Sequence, residues 1–513
     1  MAPTHIFANP LAGWGHVRPC LNLCVLLAKF SPDVHCTVLV NSVFHGLASL
    51  ELARSLEDES LASRVRLVSG GDVSNFLGAA PGHEADFENM WRAIDAGKEV
   101  TCASTGKTFP ALPKPSVVII DSIAIDAHKT IREVSGDSVK IYTNLVGMLA
   151  ATLQTFSPKY IGGRGSIDSE IKEEVARTGK SYDEVGMEFC LKSTGRVVKV
   201  PGLPPMYDYE ANPQQFTFPG YEAALLKMYT HVFDLIESTA GAFLITAESY
   251  EPEAVAAVRD WFGKTGRPVY AMGPLLPPSS VEFVLEKEKA ASLNGPSIFK
   301  FLDDTLATSG PNSVLYMSLG SAFWPVSSPE KLWAVLDVIM ELNIPFIFSH
   351  ASPMAQIPDE MRAKVDAYGK GVLSPWSPQQ SILHHPATGW YISHGGHNSV
   401  TEAIVAGVPM IMWPFTGDQA QNACTITDNW AVGYELLEVR TGDGLKPICR
   451  TGYTPVGTVE AVTKEAREVL GKAFGEDGKK KRAALAPLTK AMQGEWEENG
   501  TAKKDLLAFL STL

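Results

Sequence analysis

The chain has 513 residues, 45% of them hydrophobic and 20% charged, which excludes a wholly disordered or collagen-like protein. Acidic residues outnumber basic ones, 57 against 44, for a net charge of −13; this argues against a general binder of nucleic-acid backbone. Seven cysteines without a CxxC spacing indicate neither a disulfide framework nor a zinc knuckle and fit a reducing, cytoplasmic setting.

The opening MAPTHIFANPLAGWGH has no basic n-region and does not read as a signal peptide. No run of about 18 apolar residues marks a membrane span. Thr4–Ala8 reads as a buried strand, followed by a loop with Gly13 and Gly15 and a helix near Arg18–Phe30. Further strands are expected at Cys36–Val40, Val65–Val68, Val117–Ile120, Val139–Thr143 and Gly241–Thr246. Such continuous apolar runs, alternating with helical patterns, predict a parallel sheet covered on both faces. Gly162–Gln215 looks irregular, a surface excursion, and Met272–Ser297 reads as a linker from its proline, glycine and charge.

The pattern then restarts, with strands expected at Ser313–Ser318, Pro345–Ser349, Gly371–Leu373, Thr388–Ser393 and Pro409–Trp413. The fold class is therefore α/β, with two Rossmann-like doubly wound domains. The two patterns are separated by the linker at about 272–297. Ligands of open α/β sheets bind at the carboxyl ends of the strands, so chemistry is expected on the strand-end loops.

Two such loops in the first half stand out. Gly13 and Gly15 give GxG, but Arg18 occupies the place of the third glycine, which makes a poor dinucleotide fingerprint. His16 lies between a strand end and a helix start. There a neutral imidazole can take a proton from a hydroxyl, although a capping or packed histidine fits the same position. Asp121 ends the VVII run; it reads either as a helix N-cap or as the carboxylate that holds His16 in a triad-like pair without a serine.

The densest stretch is Trp376–Gln419. His394-Gly-Gly-His-Asn-Ser399 follows a strand and opens a helix expected at about Ser399–Ala406. Adjacent glycines allow close backbone approach, and the helix N-terminus offers unpaired N–H groups, an anion cradle suited to a diphosphate. Glu402 lies one turn beyond Ser399 and can accept bonds from vicinal ribose hydroxyls. Trp376 can stack on a base, and Asp418 and Gln419 can bind sugar hydroxyls. Core, N-cap and turn roles remain open for Trp376, Asp418 and Asn398. His384, His385, His394 and His397 cluster in sequence, but without HExxH or Cys–His spacing no metal site is expected. GxSxG is absent as well.

Trp376–Gln419 resembles the nucleotide-sugar signature box of the UDP-glycosyltransferases, a family that glycosylates small lipophilic acceptors. The agreement covers Trp376, Pro378-Gln379, Leu383, His385, Gly389, His394-Gly395-Gly396, Asn398-Ser399, Glu402, Gly407-Val408-Pro409, Pro414 and Asp418-Gln419. Gly15-His16, Val117–Asp121 and Val314–Ser321 are similar to the family's catalytic histidine loop, catalytic aspartate strand and first donor-domain strand.

The resemblance implies the GT-B architecture, two Rossmann-like domains facing across a cleft, and an inverting transfer of a hexose, glucose first, from a UDP-sugar to a hydroxyl of a small lipophilic alcohol or phenol. It implies His16 as general base, Asp121 as its orienting carboxylate, Trp376 on uracil, Gln379 and Glu402 at the ribose, Ser321, His394, Gly396, Asn398 and Ser399 at the diphosphate, and Asp418 and Gln419 at the hexose. No metal or other cofactor is expected. The acceptor pocket is expected at Phe87, Met90, Trp91, Met148 and Leu149, and the C-terminal helix Lys503–Leu510 is expected to return to the first domain, so that the implied division is 1–255 with 492–513, and 256–491. His397 departs from the tryptophan usual in plant members, which leaves galactose, xylose and glucuronate open as donor sugars and points to a fungal or bacterial variant. A cytoplasmic monomer is expected. The alternatives are a UDP-sugar epimerase of the same architecture and a non-catalytic nucleotide-sugar-binding protein.

Overall fold

The structure is a computed structural model and describes residues 3–70, 83–191, 193–215, 221–292 and 294–513. The chain divides into two compact units, one of Met1–Lys192, Thr217–Val284 and Gly494–Leu513, the other of Ser193–Phe216 and Leu285–Gln493.

The first unit is built on a seven-stranded parallel sheet of β1 (Thr4–Asn9), β2 (Val34–Asn41), β3 (Val65–Gly70), β4 (Val117–Asp121), β5 (Lys140–Leu145), β6 (Gly241–Leu244) and β7 (Val269–Ala271), in the order β7-β6-β5-β4-β1-β2-β3. Side chains alternate across a strand, so each run feeds two cores. Ile6 and Ala8 of β1 face the helix α1 (Trp14–Phe30), whereas Phe7 faces the helix α3 (His83–Asp95) on the other side. Between them α2 (Ser42–Ser55) is capped by Asn41, whose side chain accepts from the Val43 N–H at 2.9 Å. The C-terminal helix Thr501–Leu510 seats Phe509 edge-on against Tyr142, Phe243 and Tyr270, while Asp505 accepts from the Ala271 N–H at 2.7 Å and pairs with Arg259 at 3.0 Å.

The second unit carries six parallel strands: β8 (Val314–Ser318), β9 (Phe346–Ser349), β10 (Gly371–Ser374), β11 (Thr388–Ser393), β12 (Met410–Met412) and β13 (Tyr434–Glu435). Their order is β10-β9-β8-β11-β12-β13. Both sheets therefore grow outward in one direction from their first strand and then reverse beside it. That reversal opens a crevice at the carboxyl ends of the two central strands.

Three boundaries differ from the sequence reading. Residues 256–284 belong to the first unit, because β7 pairs with β6 and because Met272 and Leu275 are buried in that unit's core. The stretch read as a linker holds the helix Val281–Ala291 and the start of the helix Gly295–Ser309. The excursion at 162–215 is not irregular throughout. The helices Asp168–Thr178 and Tyr182–Leu191 enclose a small apolar cluster of Ile167, Ile171 and Val185, whereas residues 193–215 pack into the second unit. That packing rests on buried charge. Arg450 reaches Glu210 at 3.5 Å, Asp428 at 2.9 Å and also Glu435, which pairs with Arg440 at 2.6 Å. Buried charges are tolerated only when paired in this way.

Candidate functional site

In the first unit the crevice lies between β1 and β4. His16 stands in the first turn of α1, directly after β1, and Asp121 is the last residue of β4. The His16 Nδ1 lies 2.7 Å from Asp121 Oδ2, with the carboxylate fully buried and the imidazole about one quarter exposed. A carboxylate can only accept, so Nδ1 carries the hydrogen and the neutral ring keeps its basic lone pair on Nε2. The other carboxylate oxygen accepts the Ile123 N–H at 3.0 Å, which fixes the aspartate's orientation. Neither residue is a helix cap: Gly13 caps α1 and Ala124 occupies the cap of the helix Ile125–Ser135.

Asn144 was not anticipated. It is the penultimate residue of β5, in register with Asp121, and is buried, and its amide nitrogen and oxygen have no hydrogen-bond partner among the described residues. The signal available in the sequence was a polar side chain near the end of the apolar run VKIYT.

The expected acceptor residues are placed differently. Trp91 is fully buried, packs on Phe7 at 5.1 Å between ring centroids and donates its indole N–H to Ser135 at 3.0 Å. Phe87 lies in the same core and Met90 packs against it. Met148 and Leu149 are buried at the start of α4 (Leu149–Phe156), where the Glu251 carboxylate accepts the Leu149 and Ala150 N–H groups at 3.0 and 2.8 Å. All but Met90 are thus core residues, because the apolar face of α3 and the capped turn of α4 are used to cover the sheet.

In the second unit the crevice lies between β8 and β11. The helix α5 (His397–Val405) follows β11 and begins two residues earlier than expected, so Asn398 and Ser399 fall in its first turn. Gly396 is its N-cap and supplies no capping side chain, which leaves the first backbone N–H groups to other partners. The His394 imidazole is buried between two glycines. A Cβ at Gly320 would come within 2.7 Å of its Nε2, and one at Gly396 within 2.5 Å. Its Nδ1 is buried with no hydrogen-bond partner among the described residues. Burial pushes both the His394 and the His397 imidazoles down to about 4, so both are neutral at pH 7.

Trp376 follows β10 and is 44% exposed, so a core role is excluded. Ser321 is exposed, three residues past β8. Glu402 is buried on α5 and receives the Gln379 amide at 2.5 Å, with Gln380 further off at 3.4 Å. Gln379 Nε2 is also 3.4 Å from Ser399 Oγ. Gln379 is thereby a holder of Glu402 rather than a side chain with its amide left for a ligand. Asp418 sits at the cap position of the helix Gln419–Cys424 without a side-chain capping bond. The Gln419 amide oxygen accepts the Phe415 N–H at 2.8 Å, which leaves its NH2 as the group for an outside acceptor. Among the described residues no group of three or more His, Cys, Asp or Glu can hold a metal ion, and no helix is long and apolar enough to cross a membrane.

Comparison with known proteins places this geometry in a family. The family model "UDP-glucoronosyl and UDP-glucosyl transferase" matches residues 182–447. The chain is 30% identical over 525 residues to UDP-glycosyltransferase eriJ of the fungus Hericium erinaceus, covering 99% of this chain and 98% of that one. It is 26% identical over 284 residues, 54% of this chain and 57% of the relative, to anthocyanidin 3-O-glucosyltransferase 2 of Fragaria ananassa. Among solved structures, a UDP-glucosyltransferase from Polygonum tinctorium, capable of glucosylating indoxyl and captured with 3,4-dichloroaniline, superimposes with a TM-score of 0.67 at 19% identity, over 99% of this chain and 98% of that one; this likeness establishes the GT-B fold. With a fungal relative matched almost end to end and the family model spanning half its length, the chain belongs to the UDP-glycosyltransferase family and is a UDP-dependent glycosyltransferase.

Proposed function

We propose that the enzyme transfers glucose from UDP-glucose to a hydroxyl of a small lipophilic acceptor, with inversion at the anomeric carbon. The observation that carries the reading is the 2.7 Å contact between the His16 Nδ1 and the buried Asp121 carboxylate. In this reading Nε2 of His16 removes the proton of the acceptor hydroxyl as its oxygen attacks the anomeric carbon. Asp121 holds the ring and balances the imidazolium charge that develops, as in a catalytic triad. The bond from the anomeric carbon to the diphosphate breaks in the same step, and UDP leaves.

The departing charge is met by the uncapped N-terminus of α5 with Asn398 and Ser399, by the buried His394 imidazole and by Ser321. Trp376 stacks on uracil, Glu402 takes the ribose hydroxyls, and Asp418 with the Gln419 NH2 holds the hexose. Donor chemistry of this kind needs no metal ion. Seven free cysteines fit a reducing, cytoplasmic setting, and the protein acts as a monomer. The anthocyanidin and the indoxyl named for its relatives favour a phenol or alcohol as acceptor.

The test is a panel of phenols and alcohols incubated with UDP-glucose, with and without a chelator, read by mass for an added hexose and by NMR for the anomer. A β-glucoside formed equally in both arms is the expected result. An epimeric sugar formed without any acceptor, and with no acceptor modified, would favour the epimerase alternative, and product formed only after a divalent cation is restored would end the metal-free reading.

A further inference from the structure

Gln379 has its two ends assigned by chemistry. The amide atom facing the Glu402 carboxylate at 2.5 Å must be the nitrogen, because a carboxylate only accepts. Its oxygen then faces two phenols, Tyr316 at 3.2 Å and Tyr391 at 3.1 Å, and both hydroxyls donate to it. These tyrosines are register partners on β8 and β11, their rings stack at 4.9 Å between centroids, and both are buried. Two donors on Oε1 fill its lone pairs and forbid the amide flip that would turn oxygen against carboxylate.

We infer that Tyr316 and Tyr391 are positioning residues of the nucleotide site. They act through Gln379 to hold the Glu402 carboxylate, and so set the affinity for the UDP moiety. This rests on the reading above that Glu402 takes the ribose hydroxyls. Neither tyrosine touches a ligand in this account, and phenylalanine at either position keeps the ring stack while removing the hydroxyl, which besides donating to Gln379 is met by Ser318 and Ser349 at Tyr316 and by Ser318, Ser393 and Ser399 at Tyr391.

Calorimetric titration with UDP tests the inference. The double variant Tyr316→Phe/Tyr391→Phe is expected to bind UDP about tenfold more weakly, the usual worth of such hydrogen bonds. In a Gln379→Ala background the same pair of changes is expected to have less than a twofold effect, because the route to Glu402 is already cut. A packing role would instead lower affinity equally in both backgrounds, and that result, or wild-type affinity in the double variant, overturns the proposal. If the double variant does not fold, Tyr391→Phe alone is carried through the same cycle. Glu402→Ala is measured alongside: unchanged UDP affinity there removes the ribose reading itself, whereas weakened binding there with wild-type affinity in the tyrosine variants removes only the tyrosine relay.

Discussion

His16 and Asp121 divide the proposed chemistry between one partly exposed ring and one buried carboxylate. His16→Ala is expected to lower turnover by about 10²–10⁴-fold, the range for general acid–base catalysis, with the dissociation constant for UDP unchanged by calorimetry. At the donor site a single methyl group has a comparable diagnostic value. In Gly396→Ala the added Cβ would sit 2.5 Å from His394 Nε2, closer than real contacts allow, so the imidazole must move. We expect a stability loss of about 1–3 kcal/mol in denaturant unfolding, together with weakened UDP binding. His16, Asp121 and His394 could be read from the sequence because each follows a continuous apolar strand and the histidines adjoin glycine. The tyrosine pair could not: Tyr316 and Tyr391 meet only through the register of β8 and β11, which no local pattern encodes.

Elements follow the same logic. β1, β4, β8 and β11 were legible because both faces of a parallel sheet are covered and their sequences are therefore apolar throughout. β7 and β13, of three and two residues, were not legible; such short strands are specified by their neighbours rather than by their own side chains. The apolar face of α3 was correctly recognised as apolar but serves the core, the commoner fate of such a stripe. The C-terminal helix is an integral part of the first sheet's cover. Phe509→Ala removes a fully buried ring that meets three aromatic partners and is expected to cost about 3–5 kcal/mol, read as a lower denaturant midpoint of the first unit with UDP affinity preserved.

For the molecule as a whole, buried neutral histidines link stability to pH. Burial pushes the His5, His128, His394 and His397 imidazoles down to about 4 from an ordinary 6.5. A depressed histidine pKa means that the unfolded chain takes up protons first as pH falls. The stabilisation from neutral burial is therefore complete above pH 6.5 and is lost progressively between 6.5 and 4, by up to about 3 kcal/mol for each ring. Glu465, pushed up to about 7 by burial, opposes them, since its protonated native form favours folding at the lower pH. Four rings against one carboxyl leave the histidines in control. The melting temperature is thus expected to fall steadily from pH 6.5 to pH 4, and a level profile over that range would contradict the neutral burial of these rings.

The threading of the chain through the two units has a consequence for biogenesis. The first sheet is fully covered only when residues 494–513 arrive, after the whole of the second unit has left the ribosome. The nascent first unit therefore waits with the apolar surface around Tyr142, Phe243 and Tyr270 uncovered, a natural client surface for a chaperone. Pulse-chase proteolysis of stalled nascent chains should find the second unit protected before the first.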